Sequence, residues 1–468
     1  MITPYQSKNP YNNEVLATFD TLTDAQLEEK LVKAHEAFQS WKNTTFEERA
    51  AILHRAAELV MERREELASY NTLETGKLFM ESAWEMNVVA DMFNHYADHG
   101  AEYLKPEIIK NPDQNAGDAV GIYQPTGIIY QIEPWNAPYF QIVRPMSATL
   151  MAGNVMVLKH ASNVLQCALA MEKLMRDAGA PEGVFTNLFV SYEQSDRVIA
   201  DPRVTGVTIT GSTEVGRGVA ATAGQNLKKI VLELGGSDAM VVLDDADMEK
   251  VMQGAMVGRL TLSGQACVGD KRMFIHSSLY DTFMEQIKEA VCNLVSGDPM
   301  DQATTLAPVV NKKAADKVRA QIALAVEHGA TATTYGQPVP EDTAFVQPTI
   351  LTNVTPDNPI FNEEIFGPVL MIFSFDTEEE VVALANGTQY GLGSSVYTES
   401  PERAYRLAAQ MESGAVSVNQ PTLPSPAIPF GGIKNSGYGR ELGADGIREF
   451  TNQKYINSNS IDMKVFHL

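Results

Sequence analysis

The chain has 468 residues, 44% hydrophobic and 20% charged, a globular balance that excludes wholesale disorder and, at roughly 100–200 residues per domain, predicts about two to four domains. Its 59 acidic against 36 basic residues give a formal net charge of −23, a field that repels nucleic acid and anionic membrane but leaves a small anion open to capture by local cations and backbone N–H groups. Three cysteines, no apolar run of about 18 residues and a polar start (MITPYQSKNPYNNEV) predict a cytoplasmic protein with no disulfide framework, membrane span or signal peptide.

In chain order, Thr23-Asp-Ala-Gln26 and Thr45-Phe-Glu-Glu48 read as capping boxes that open helices. Ile52, Leu53, Ala56, Leu59 and Val60 then follow helical spacing, so the first hundred residues are predicted to be largely helical. His95 and His99, four apart, put two imidazoles on one helix face. No third ligand or His-Glu motif accompanies them, and no metal is expected. From about residue 120 the texture changes. Short apolar runs at 127–132, 155–159, 204–210, 229–234, 239–243, 272–276 and 369–375 alternate with amphipathic stretches such as 164–178 and 215–223. Such alternation predicts an α/β chain with parallel sheets covered by helices. The Pro- and Gly-rich segments 421–429 and 430–440 are predicted to be ordered turns.

There is no P-loop, no G-x-S-x-G elbow, no H-E-x-x-H and no G-x-G-x-x-G. A dinucleotide, if bound, therefore needs a variant cradle. The β-rich run Val204–Thr210 passes through Gly211-Ser212-Thr213 into a helical pattern, which suits either a phosphate site or an ordinary N-cap. Glu233 ends an apolar β-run just before Gly235-Gly236. It reads as a general base with a raised pKa or as a carboxylate satisfied by turn N–H groups. Cys267, in Ser263-Gly-Gln-Ala-Cys267-Val-Gly269, lies outside any periodic element, unlike Cys167 and Cys292. It is the candidate nucleophile, provided something lowers its pKa. Asn136, held between Pro134 and Pro138, is an oxyanion donor or a plain turn asparagine.

Taken together and in this order, Pro134-Trp-Asn-x-Pro138, Gly211-Ser-Thr-x-x-Gly216, Leu232-Glu-Leu-Gly-Gly236, Gly264-Gln-x-Cys267, Glu363-Glu-Ile-Phe-Gly-Pro368 and Pro429-Phe-Gly-Gly-x-Lys-x-Ser-Gly437 resemble the aldehyde dehydrogenase superfamily. Leu158-Lys-His-Ala-Ser-Asn163 and the overall length are similar to its succinate-semialdehyde dehydrogenases. The resemblance implies a Rossmann-type cofactor domain (1–108 and 125–234), an α/β catalytic domain (235–435) and a small oligomerisation arm (109–124 and 436–468) that pairs subunits into a homodimer or homotetramer. It implies Cys267 as nucleophile, Asn136 with the Cys267 N–H as oxyanion site, and Glu233 as the base that hydrolyses a thioester, which favours an acid product over acyl transfer to coenzyme A. Trp135, Lys159, Ser162, Gly211, Ser212, Glu364 and Phe366 fall in the implied cofactor site. NAD-preferring members often carry Glu where this chain has Ser162, so binding of NADP or NAD is expected with NADP slightly favoured. Arg144 and Ser425 match positions used for a distal substrate carboxylate, though Arg144 also reads as a structural ion pair. The loop Leu423-Pro-Ser-Pro-Ala-Ile-Pro429 lacks the acidic and basic residues common in relatives, Ala266 and Val268 leave Cys267 without a neighbouring cysteine, and Asp270 has no assigned role. Oxidation of succinate semialdehyde is the leading expectation. Its rivals are another short aldehyde such as glutarate semialdehyde, a non-catalytic relative, and a thiol esterase.

Overall fold

The first hundred residues are largely helical, and their first two helices start on side chains that satisfy free N–H groups. In the computed structural model, which describes residues 5–111 and 118–457, the Thr45 hydroxyl accepts from Glu48 N at 3.2 Å while the Glu48 carboxylate accepts from Thr45 N at 2.7 Å. Thr23 and Gln26 form the same reciprocal pair. The helices Asp24–Trp41 and Phe46–Glu62 that follow bury one stripe each, Leu27, Leu31, Ala34 and Trp41 on the first and Leu53, Ala56 and Val60 on the second. A hairpin of Tyr5–Lys8 and Val15–Phe19 precedes them and was not foreseen in the sequence.

The chain then builds two sheets. The first is six-stranded, in the order Gly437–Tyr438, Lys229–Glu233, Val204–Thr210, Ile128–Glu133, Val155–His160, Phe185–Asn187, and is parallel except at its first strand. From Ile128–Glu133 the chain adds strands outward on one side, then crosses back to add Val204–Thr210 on the other. That reversal opens a crevice at the carboxyl ends of the two strands, the place where open α/β sheets bind ligands. The turns after these strands are Pro134–Ala137 and Gly211-Ser212. The second sheet is seven-stranded and centred on Arg272–His276 and Ala239–Val242, parallel except at its edge strand Thr331–Thr334. Both are covered by helices, the Rossmann-like α/β arrangement expected. Each of the seven apolar runs singled out in the sequence is a strand.

A separate three-stranded antiparallel sheet joins Glu107–Ile109, Ala119–Pro125 and Thr451–Asn457. The C-terminal stretch expected in the arm from residue 436 divides. Gly437–Tyr438 pairs with Leu232 and Glu233 at the edge of the first sheet. Ile447 and Phe450 bury in that sheet's core, and only Thr451–Asn457 enters the small sheet. Residues 112–117 and 458–468 of the expected arm lie outside the described residues.

Candidate active site

The loop bearing Cys267 is bent by its backbone. Leu262, Ser263 and Gly264 are all left-handed, with φ of 56°, 53° and 77°. Two of them carry a Cβ, which costs about 1–3 kcal/mol each and persists only where surroundings over-determine it. Here they do. Glu81 accepts from Leu262 N at 2.9 Å, Ser263 Oγ donates to Ala307 O at 2.8 Å, and buried Arg259 donates to the carbonyls of Gly264, Ile365, Gly367 and Val369. A Cβ at Gly264 would lie 2.3 Å from the Gly367 carbonyl oxygen, so glycine is required there. The sequence makes Cys267 the nucleophile provided something lowers its pKa; Arg144 and Lys271 pull in that direction, but burial outweighs them and pushes the thiol up to about 11.

Asn136 is positioned by the helix Pro138–Met151, which is buried at every position except Phe140. Pro138 opens that helix, and Glu85 accepts from Tyr139 N and Phe140 N at 2.9 Å each, a carboxylate at the helix's positive end. Asn136 Nδ2 donates to Gln265 O at 3.0 Å and its Oδ1 accepts from Gln141 Nε2 at 3.3 Å. One amide N–H is thereby used to aim the group, and the second remains for a substrate oxygen. Asn136, Arg144 and Cys267 line one cavity of about 400 Å³ whose walls also include Trp84, Phe140 and Phe430. Thr422, Leu423 and Pro424 belong to that wall, whereas Ser425 does not.

Arg144 is engaged. Its Nε pairs with the Glu441 carboxylate, and its Nη2 donates to Thr210 Oγ1 at 2.7 Å. The ion-pair alternative raised by the sequence is therefore present, although the guanidinium also faces the cavity. Glu441, which also accepts from Thr208 Oγ1 at 2.6 Å, carried no sequence signal beyond its place after a Gly-rich run.

Glu233 lies at the carboxyl end of its strand, paired in register with Thr210. Neither of its oxygens has a hydrogen-bond partner, so the turn N–H groups do not satisfy it. Burial raises its pKa well above the carboxylate range, with Arg144 pulling the other way. It is not in the lining of the Cys267 cavity, but a Cβ on Gly431 would come within 2.8 Å of Glu233 Oε1, so glycine keeps that side clear. A second buried carboxylate, Glu133, stands at the end of the next strand but one and is likewise raised by burial.

At the crevice, Ser212 caps the helix Thr213–Gln225, its Oγ accepting from Val215 N at 3.4 Å, directly after Gly211. Lys159, one residue before the end of its strand, is only partly exposed; it pairs with no carboxylate among the described residues and sits 5.2 Å from the ring centroid of Tyr192, which is 82% exposed. Tyr192 gave no motif, and only the fold brings it beside Lys159. Ser162 is exposed in the following turn. Glu364 Oε1 accepts from Gly236 N at 3.1 Å. Trp135 and Phe366 meet edge to face, with centroids 5.9 Å apart, so the turn after Ile128–Glu133 is in contact with the Glu363–Pro368 segment that leads into the second-sheet strand Val369–Phe375. Asp270 is buried, accepts from Ser395 Oγ at 3.2 Å, and is pushed up to about 7 by burial. Among the described residues no three His, Cys, Asp or Glu side chains form a metal-binding group, and no helix is long and apolar enough to cross a membrane.

This architecture and site are those of an NAD(P)-linked aldehyde-oxidising enzyme, and the chain belongs to the aldehyde dehydrogenase family, whose sequence profile matches residues 3–456. It is 43% identical to the Deinococcus radiodurans protein named succinate-semialdehyde dehydrogenase, NADP(+), covering 97% of this chain and 95% of that one. It is 40% identical to an aldehyde dehydrogenase of Paenarthrobacter nicotinovorans over 96% of this chain and 98% of the relative. The solved succinic semialdehyde dehydrogenase of Streptococcus pyogenes in complex with NADP+ superposes with a TM-score of 0.94 at 42% identity, covering 97% of this chain and 99% of that one.

Proposed function

We propose that this chain oxidises succinate semialdehyde to succinate with NADP in preference to NAD. The observation that carries the chemistry is the meeting of Cys267, Asn136 and Arg144 in one cavity. The residues at the crevice fit a dinucleotide. Lys159 is a largely buried cation with no carboxylate partner among the described residues, a costly arrangement unless an anion completes it. Ser212 at the helix start and Glu364 beside the Gly-Gly turn suit a pyrophosphate and a ribose respectively. When bound, the oxidised nicotinamide supplies the hydride acceptor.

The thiolate of Cys267 adds to the aldehyde carbon, forming a C–S bond. The free N–H of Asn136 and the backbone N–H of Cys267 hold the oxyanion. Loss of the substrate hydride leaves a thioester on the same sulfur. Glu233 then takes a proton from water, whose oxygen attacks the acyl carbon; the C–S bond breaks and the acid leaves. Arg144 presents a guanidinium to the distal carboxylate. Its charge is already shared with Glu441, and the walls contributed by Trp84, Phe140, Leu423 and Phe430 are apolar. That combination favours a second reading, an uncharged aliphatic aldehyde. Breaking a buried ion pair costs about 3–5 kcal/mol, so replacing Arg144 would report on folding as well as on substrate. A panel of aldehydes with each cofactor is the direct test. Succinate semialdehyde should show the highest kcat/KM, and an aliphatic aldehyde of equal length exceeding it would replace the substrate assignment.

Ser162 carries the cofactor preference. A carboxylate there would face the 2′-phosphate, and like charges brought together cost several kcal/mol. Ser162→Glu is expected to weaken NADP by about 100-fold while NAD changes by less than about threefold, read as Kd from quenching titrations. An unchanged ratio removes Ser162 from the phosphate site.

We assign residues 1–108 and 125–234 to the dinucleotide-binding unit and 235–435 to the catalytic unit. The three-stranded sheet is the arm through which subunits pair into a homodimer or homotetramer.

A further inference from the structure

The loop that carries Cys267 is followed by a lysine wholly withdrawn from solvent. Lys271 has no exposed side-chain surface, and a buried ammonium needs an acceptor for each of its three N–H donors. It donates to the Ala266 carbonyl at 2.7 Å and the Cys267 carbonyl at 2.6 Å, and its charge is paired with Glu364 Oε1 at 3.4 Å. That carboxylate oxygen is the one that accepts from Gly236 N, so it is divided between the Gly-Gly turn and the lysine. The turn and the nucleophile loop also touch directly, since a Cβ on Gly236 would lie 2.8 Å from the Cys267 carbonyl oxygen. The charged groups acting on the thiol are Arg144 from the helix Pro138–Met151, Lys271 from its own loop, Glu364 from the 363–368 turn, and Asp238 from the stretch before Ala239–Val242. The two cations favour the thiolate and the two carboxylates oppose it. Asp270 and Arg259 stand close enough to each other and to Lys271 to complete the buried charge set.

We propose that Lys271 is a positioning residue that couples cofactor occupancy to the reactivity of Cys267. Ribose hydroxyls donating to Glu364 draw that carboxylate away from Lys271, and the lysine's charge then acts on the thiol undivided. While Lys271 keeps its two carbonyls, the loop holds its shape as this happens. The proposal rests on Glu364 being the ribose ligand.

The probe is 2′-phospho-ADP-ribose, which brings the ribose without the nicotinamide ring or its charge. In the full-length protein it should accelerate iodoacetamide alkylation of Cys267, followed on the Cys267 peptide by mass spectrometry, by about tenfold, an ordinary size for coupling between sites. The thiol's reactivity profile should move to lower pH. Lys271→Met should bind the probe within about threefold of wild-type affinity yet show no acceleration, and Lys271→Arg should restore part of it. Absence of acceleration in the wild type, or its persistence in Lys271→Met, overturns the coupling. Should Lys271→Met fail to fold, Glu364→Gln poses the question from the other side. A neutral amide releases the lysine, so unliganded Cys267 should already react about tenfold faster and gain nothing from the probe, while a slow, wild-type rate overturns the coupling. Probe binding to Glu364→Gln at wild-type affinity refutes the ribose assignment instead, whatever the alkylation rates show.

Discussion

Replacing Cys267 by alanine is expected to lower kcat/KM for aldehyde oxidation by at least about 10⁴-fold while leaving the affinity for NADP within about threefold. The size follows from the role. Without the sulfur there is no covalent adduct from which a hydride can leave as electrons return from oxygen, and Asn136 alone binds the aldehyde oxygen without activating its carbon. The selectivity follows from the placement. The proposed cofactor contacts, at Lys159, Ser212 and Glu364, come from other segments than the 261–269 loop. Turnover is read from the absorbance of reduced nicotinamide and affinity from quenching titrations. Surviving oxidation in Cys267→Ala would remove the mechanism. The same variant separates two rivals. A thiol esterase would hydrolyse an activated ester without any nicotinamide and lose that activity with Cys267. A non-catalytic relative would show neither activity in the wild type. The pKa near 11 adds a second expectation. In the free protein, alkylation of Cys267 should keep rising with pH well past neutrality, because the reactive thiolate accumulates only as pH approaches the raised pKa.

Much of this site was legible because its motifs sit where the backbone changes state. Glu233 ends an apolar run before two glycines, and Cys267 lies between glycines in a segment that no helix can span; the structure supplies the reason, three consecutive left-handed residues at 262–264. The seven apolar runs became strands because parallel strands buried on both faces read as continuous hydrophobic stretches. The strands Ala119–Pro125 and Thr451–Asn457 were not singled out. They are only partly buried and mixed in character, and they acquire identity only by pairing with each other across the chain. Non-local partnership explains the other misses too. Glu441 acquires its meaning from Arg144, 297 residues away, Tyr192 from Lys159, and Lys271 from the Glu364 carboxylate in a distant turn of the same unit. Spacing along the chain reports the period of a local element, not which distant charge will be buried opposite it. The condition of a lowered Cys267 pKa goes unmet for a related reason. The cations are there, but desolvation, which no motif encodes, is the larger effect.

Glu233→Gln should separate the two halves of the reaction. The amide is nearly the same shape, and the carboxylate it replaces accepts no hydrogen bond from the protein, so little packing or bonding is lost. Addition of the thiolate and departure of the hydride do not use this group, and a first turnover should proceed. Hydrolysis of the thioester does use it, and losing a positioned general base typically costs about 10²–10⁴-fold. Stopped-flow mixing should therefore show a burst of reduced nicotinamide equal to one per active site, followed by a steady rate lower by that factor, with the acyl group recoverable on the Cys267 peptide. The pH profile provides the sign check. Because burial raises the Glu233 pKa, the carboxylate form that acts as base is depleted at low pH and grows as pH rises through the raised value. Wherever deacylation limits the wild type, turnover should climb across that range, and Glu233→Gln should lose the climb. A variant with a wild-type steady rate would show that another group hydrolyses the thioester. A slow variant with no burst would place Glu233 before hydride transfer, acting on the thiol rather than on water.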